Sequence, residues 1–347
     1  MRTSGFAAVP TLDSASAAGA VPGRQPAEQF TACVMAAEHV PGRISVVMPC
    51  FNSARFVREA IGSVRGQSHV DVELIVVDDG STDDSLSILE SYGGAIQLIR
   101  QSRRGPYPAR NAGLAVCSGE FVAFLDSDDL WRPDALQKLH DALIRHGADL
   151  AYCGWQNVGD SFSNEPFVPP AYEKGDPIEQ FLRSCPWPIH AALLRRSLVR
   201  RLGGFSERRF SSMGYDFWLR ALALTRNMVR VPEVLATYRW HGAGQISAVK
   251  SRQVLDALAV QTDFIASHPD LIAHLSRARL RELTDGRVLD QAYRALWKRD
   301  LESAHALLRH CARTRAFGIA HVPQVVSSLL PLPAFRWLVG LADRKKS

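Results

Sequence analysis

Residues 120–130 read "EFVAFLDSDDL". The apolar run Phe121–Leu125 has the length of a buried strand and leads straight into Asp126, Asp128 and Asp129. Carboxylates this close repel one another unless a cation or donors stand among them. The stretch therefore predicts a strand whose C-terminal end carries a ligand site. Upstream, "VELIVVDDGS" (72–81) repeats the design, a β-branched run ending in Asp78, Asp79 and a turn. "ISVVMP" (44–49), "IQLIRQ" (96–101) and "ADLAYCGW" (148–155) are further strand-like runs. Between them, "SARFVREAIGSVRGQ" (53–67), "TDDSLSILESY" (82–92) and "RPDALQKLHDALIRHG" (132–147) carry helical spacing. Strands alternating with helices predict an α/β protein with a parallel sheet, and such sheets bind ligands at the carboxyl ends of their strands. Both acid clusters then face one crevice.

The whole chain sets wider bounds. It has 347 residues, 46% hydrophobic and 22% charged, enough for a large core, with a formal net charge of +6. A mildly basic balance suits an acidic ligand or an anionic membrane surface. No nucleic-acid motif accompanies the dispersed basic residues, which argues against a nucleic-acid partner. The six cysteines lack metal-ligand or disulfide-framework spacing, which points to a reduced cytosolic compartment. No apolar run is long enough to span a bilayer, and no secretion signal is recognisable. Residues 1–42, rich in Ala, Ser, Pro and Gly, read as disordered; 43–250 read as the α/β domain; 251–347 read as a helical extension. The extension ends in "VVSSLLPLPAFRWLVGLADRKKS" (325–347), where Pro331 and Pro333 preclude one continuous spanning helix. Two readings of this tail stay open: docking on the protein's own core, or an interfacial contact with an anionic membrane.

Taken on chemistry alone, Asp126 and Asp128 suit a hard divalent cation that completes its shell with water and phosphate. The plainer alternative is that Asp128 or Asp129 caps the helix beginning near Pro133.

"SVVMPCFNSARFVREAIGSVRGQ", "ELIVVDDGSTDDS", "ARNAGL" and "GEFVAFLDSDDLW" occur in this order over residues 44–131, and together they resemble family 2 glycosyltransferases. Weaker matches follow in "RRSLVRRLGGF", "YDFWLR" and "YRWH". The resemblance implies a GT-A, Rossmann-like fold: a mixed, mainly parallel sheet flanked by helices, here with a helical C-terminal extension. It implies that Pro49, Phe51 and Asn52 line a nucleotide-base pocket and that Asp79, with Asp78, hydrogen-bonds the base. It implies that Arg110 and Asn111 lie near the diphosphate and sugar, and that Asp126 lies near the ribose or donor sugar. Asp128 and His241 would hold Mg²⁺ or Mn²⁺. The activity implied is inverting transfer from a nucleotide sugar, UDP-linked, to a glycan or lipid-linked acceptor, in the cytoplasm or on the inner membrane face.

Plainer readings stand beside several of these roles: core packing for Phe51, a turn cap for Asp78, surface positions for Arg110 and His241. The sequence also departs from the family's acidic pair before its base-bearing helix, reading "SSMGYDFWLR" (211–220). Asp216 is the carboxylate there, either as catalytic base or as a helix cap; in another register the base position falls on Gly214. Two other functions remain: an inactive nucleotide-sugar-binding module, and a nucleotidyltransferase, which would carry a Gly-rich basic loop that "MPCFNSARF" (48–56) lacks.

Overall fold

The computed structural model describes residues 38–69, 71–159, 165–209, 211–241 and 250–344. Most of the segment read as disordered, residues 1–37, lies outside the described residues, as do the loop after His241 and the basic Lys345 and Lys346.

Among the described residues nine strands build one mixed sheet: β1 (Val40–Cys50), β2 (Val72–Asp78), β3 (Gln97–Arg100), β4 (Gly119–Phe124), β5 (Leu130–Trp131), β6 (Leu150–Val158), β7 (Pro166–Phe167), β8 (Ala192–Arg195) and β9 (Met228–Arg239). Their order is β3-β2-β1-β4-β8-β6-β9-β5, with β7 on the edge of β6. The runs without polar alternation are covered on both faces, as such runs require: Val46, Val47, Met48, Ile75, Val76, Val77 and Phe121 through Leu125 are fully buried. The helix Val57–Arg65 covers one face with Val57, Ala60, Ile61 and Val64, the helical period of its sequence. On the helix Pro106–Val116, a Cβ at Gly113 would come within 2.5 Å of Val47 Cγ1, so only glycine lets this backbone lie against β1.

Parallel pairing aligns strand ends. Cys50 is in register with Asp78, and Val47 with Phe124, so the turns after β1, β2 and β4 emerge along one edge. The parallel character belongs to β1–β4 and to the β6–β9 pair; β8 runs antiparallel to both β4 and β6. The two-residue β5, too short to be seen as a strand in the sequence, pairs antiparallel with β9 at Leu130–Thr237 and Trp131–Ala236. It ties the aspartate turn to the end of β9.

The C-terminal helices Arg287–Trp297, Leu301–Thr314, Val322–Ser327 and Leu332–Arg344 enclose a second core with Leu258, Val288, Leu308, Val325 and Phe335. The tail thus docks through Phe335, which is buried. No helix among the described residues is long and apolar enough to cross a membrane.

Candidate active site

Each acid of the aspartate turn has its own counter-group. The buried Arg110 guanidinium, carried by the helix Pro106–Val116, pairs with Asp126. His241 Nε2 lies 2.8 Å from Asp128 Oδ2. Asp129 Oδ1 accepts from the backbone N–H of Arg239 at 2.8 Å, and His190 Nδ1 lies 2.9 Å from its other oxygen, both side chains being buried. Burial pushes the Asp129 carboxyl up to about 6. Burial works against a charged His190 ring, yet Asp129 beside it holds its pKa above the ordinary histidine value. The helix after Pro133 has no side-chain cap, so neither Asp128 nor Asp129 serves as one.

A cleft of about 560 Å³ opens at this edge, and Pro49, Phe51, Asn52, Asp79, Arg110, Asp126, Asp128 and His241 all line it. Asn52 takes a left-handed conformation (φ 48°), which asparagine tolerates, and its Oδ1 accepts from Thr82 N–H at 2.8 Å. Asp79 is engaged with the loop after β3. Its Oδ1 accepts from Gln101 Nε2 and Arg104 N–H, its Oδ2 from Gly105 N–H, all within 2.8 Å. That loop lays the Arg103 guanidinium over the Phe51 ring, 3.3 Å from its centroid.

Three expected residues do not reach the cleft wall. Asp78 is buried, its Oδ2 accepting from Ser81 N–H at 3.3 Å. Asn111 clasps the 205–207 loop, donating to Phe205 O and Glu207 Oε1 and accepting from Phe205 N–H. Asp216 is turned away: Arg220 Nε donates to its Oδ2 at 2.7 Å, and an Arg208 nitrogen lies 3.7 Å from Oδ1. Arg220 also donates to Leu202 O and Gly204 O, so Asp216 fastens its helix to the Leu202–Gly204 turn. A base must reach the proton it abstracts, and Asp216 lines no part of the cleft. Nor does its side chain cap the helix Met213–Leu224.

The sequence reading missed Arg103, Tyr107, Tyr238 and Gln253 in the cleft wall and His190 beneath it. Arg103 lies in "QSRRGP" (101–106), where a cation beside a predicted strand end was a usable signal. Gln253 sits on the helix Lys250–Ser267, outside every recognisable motif.

Among the described residues no group of three or more His, Cys, Asp or Glu side chains is placed to hold a metal ion. Asp128 with His241 is a two-ligand set on the cleft wall. Such a set fits a divalent cation that takes its remaining oxygens from phosphate and water.

The fold is a mixed α/β sheet with a cleft at the carboxyl ends of β1, β2 and β4. Residues 45–203 match the glycosyl transferase family 2 model. It is 29% identical to an uncharacterized glycosyltransferase of Nostoc over 58% of this chain and 66% of the relative. It is 31% identical to one of Rickettsia typhi over 58% and 64%. The match thus spans just under two-thirds of these curated relatives. The solved structure of Staphylococcus aureus TarS 1–349 in complex with UDP-GlcNAc is 20% identical, with a TM-score of 0.58 over 88% of this chain and 92% of that one. A Pyrobaculum calidifontis mannosyltransferase in complex with GDP-Man and Mn²⁺ is 17% identical, with a TM-score of 0.50 over 88% and 84%. At these identities the likeness carries the GT-A fold.

Proposed function

We propose that the chain is an inverting glycosyltransferase that moves a sugar from a UDP-linked donor to a hydroxyl of a glycan or lipid-linked acceptor, assisted by Mg²⁺ or Mn²⁺. The acceptor oxygen bonds to the anomeric carbon while the bond from that carbon to the diphosphate breaks. The electron pair leaves with UDP, and the acceptor proton passes to a base. The observation that carries this reading is the convergence of Phe51, Arg110, Asp126, Asp128 and His241 on one cleft. A nucleobase stacks on Phe51 where Arg103 now lies, and Arg110 offers a buried cation towards the diphosphate. Asp79 supports the Arg103 loop. Asp128 and His241 hold the cation, which when bound supplies charge neutralisation to the leaving diphosphate. Residues 43–250 form the glycosyltransferase domain in this reading, and 251–347 the extension.

The decisive experiment is a thermal-shift screen of nucleotide sugars with Mn²⁺, followed by assays of transfer and donor hydrolysis. UDP-sugars should raise the melting temperature only with the metal. No stabilisation by any nucleotide sugar overturns the proposal. A second reading, an inactive binding module, is favoured by one observation: the carboxylates lining the cleft are Asp79, Asp126 and Asp128, each already partnered among the described residues. It predicts binding without turnover.

We further propose a peripheral contact with an anionic membrane at the cytoplasmic face. The docked tail leaves much apolar surface outward: Ile319 is 93% exposed, Trp337 65% and Trp297 82%, with Val326, Leu329 and Leu330 also exposed. No acidic residue occurs between Glu302 and Asp343, whereas Arg309, Arg313, Arg315 and Arg336 do. Apolar side chains with basic neighbours suit an anionic headgroup layer.

A further inference from the structure

A second cavity of about 390 Å³ adjoins the cleft, and Tyr107, Ser212 and Gln253 line both. Its volume lies within the range of small-molecule sites, roughly 300–1,000 Å³. Its chemistry differs from the cleft's, because among the described residues no carboxylate lines it. Trp187 and Trp218 form part of its wall, each 1% exposed, and both indole N–H groups are buried with no acceptor among the described residues. Arg287 adds a half-buried guanidinium. This arginine makes no hydrogen bond or ion pair among the described residues. Burial lowers its pKa, while Tyr215 and Asp290 act in the opposite direction. It follows directly on a π-helical turn, Glu282–Gly286. Such turns shift the helix register and concentrate at functional sites.

Buried donors without acceptors, beside a half-buried cation, are costly unless something fills the space with acceptors. The shared wall with the cleft puts that filler next to the sugar being transferred. We infer that this cavity is the acceptor subsite and selects a sugar unit bearing an anionic group, a carboxylate or a phosphate, against Arg287. The inference rests on the glycosyltransferase reading and adds the acceptor's charge to it.

The test uses the full chain with the donor cleft saturated by UDP and Mn²⁺. Tryptophan fluorescence follows titration with methyl glucuronide, glucose 6-phosphate and the neutral methyl glucoside. An anionic probe should bind about tenfold or more tighter than the neutral one, and Arg287→Gln should abolish that preference while Arg287→Lys keeps part of it. Preference for the glucuronide assigns a carboxylate, and preference for the phosphate sugar assigns a phosphate. Equal binding of all three, or a preference that survives in Arg287→Gln, overturns the inference. Melting curves and UDP binding of both variants establish that they fold. Failure of UDP with Mn²⁺ to bind the unaltered protein would instead count against the donor reading, and the sugar titrations then report on Arg287 separately.

Discussion

His241 Nε2 reaches to 2.8 Å from Asp128 Oδ2 across 113 residues of sequence because β5 pairs with β9. The aspartate turn and the end of β9 are thereby held as one unit. Asp128→Asn should abolish Mn²⁺-dependent UDP binding with little loss of stability, since Asn can still accept from His241. His241→Ala should weaken it at least tenfold. Chelation of the metal should reproduce the Asp128→Asn result in the unaltered protein. Calorimetric titration of UDP with and without Mn²⁺ decides this, and unchanged affinity in folded Asp128→Asn removes the metal role.

The Arg110–Asp126 pair behaves differently, because Arg110 is 4% exposed while the Asp126 side chain keeps 29% of its surface. Removing the negative partner leaves a buried guanidinium uncompensated. Asp126→Asn should therefore cost stability, about 1–2 kcal/mol given the partial solvation of the pair, as well as donor affinity. Urea unfolding measures the first and UDP titration the second. A variant as stable as the original protein would mean that Arg110 has another adequate partner.

The buried Asp129–His190 pair makes stability depend on pH. Both native pKa values are raised above their ordinary ones, the carboxyl to about 6, so the native state holds more protons than the unfolded chain. Stability from such groups is present at low pH and is lost as pH rises. For Asp129 the loss runs from about pH 4 to about 6, and for His190 it continues above the ordinary histidine range. The stability difference between the metal-free protein and Asp129→Asn/His190→Gln should thus be most favourable to the original near pH 4–5 and shrink towards pH 8. Urea unfolding across this range checks it; a difference that grows with pH reverses the sign.

The sequence carried the strand ends and the acids in them, because continuous apolar runs and like charges leave local signals. Phe51, Arg110, Asp126, Asp128 and His241 were all named from it, and one cleft gathers them. It did not carry what depends on pairing between distant segments. β5 is two residues long and exists only through β9, so nothing local announces it. His190 has no motif, and its role follows from lying against Asp129. Asp216 stays open in the sequence between base and cap, because a carboxylate early in an apolar helix looks the same whether it faces a ligand or Arg220.

For the membrane surface, cutting off the tail is the wrong experiment, since it removes Phe335 from the core formed with Leu258 and Leu308. Surface changes keep that core. The triple variant Leu329→Ser/Leu330→Ser/Trp337→Ser should lose flotation with phosphatidylglycerol vesicles, while the original protein floats with them and not with phosphatidylcholine. High salt should weaken the binding, because the Debye length falls to about 3 Å at 1 M. Equal flotation of the triple variant and the original would refute the tail's role.

The catalytic base can be sought from the position the sequence leaves bare. Gly214 lines the second cavity, next to the wall of Tyr107 and Ser212 that the cavity shares with the cleft. A Cβ there would meet nothing within 4 Å, and no left-handed backbone stands in the way. Gly214→Asp should therefore fold. It should gain up to about 1 kcal/mol, since glycine is a poor helix residue and an acid suits a helix N-terminus. If turnover is limited by a missing carboxylate, Gly214→Asp should raise it by about two orders of magnitude, the lower end of what a positioned base supplies. Gly214→Asn separates the effects, because it gives the side chain without the base. Asp216→Asn completes the comparison. With its carboxylate on Arg220, 2.7 Å away, the change should lower stability by about 1–3 kcal/mol and leave the rate nearly unaltered. Turnover of each variant and its urea midpoint are the measurements. A large rate loss in folded Asp216→Asn would return the base to Asp216, and equal rates in Gly214→Asp and Gly214→Asn would show that a carboxylate at 214 does not act as one.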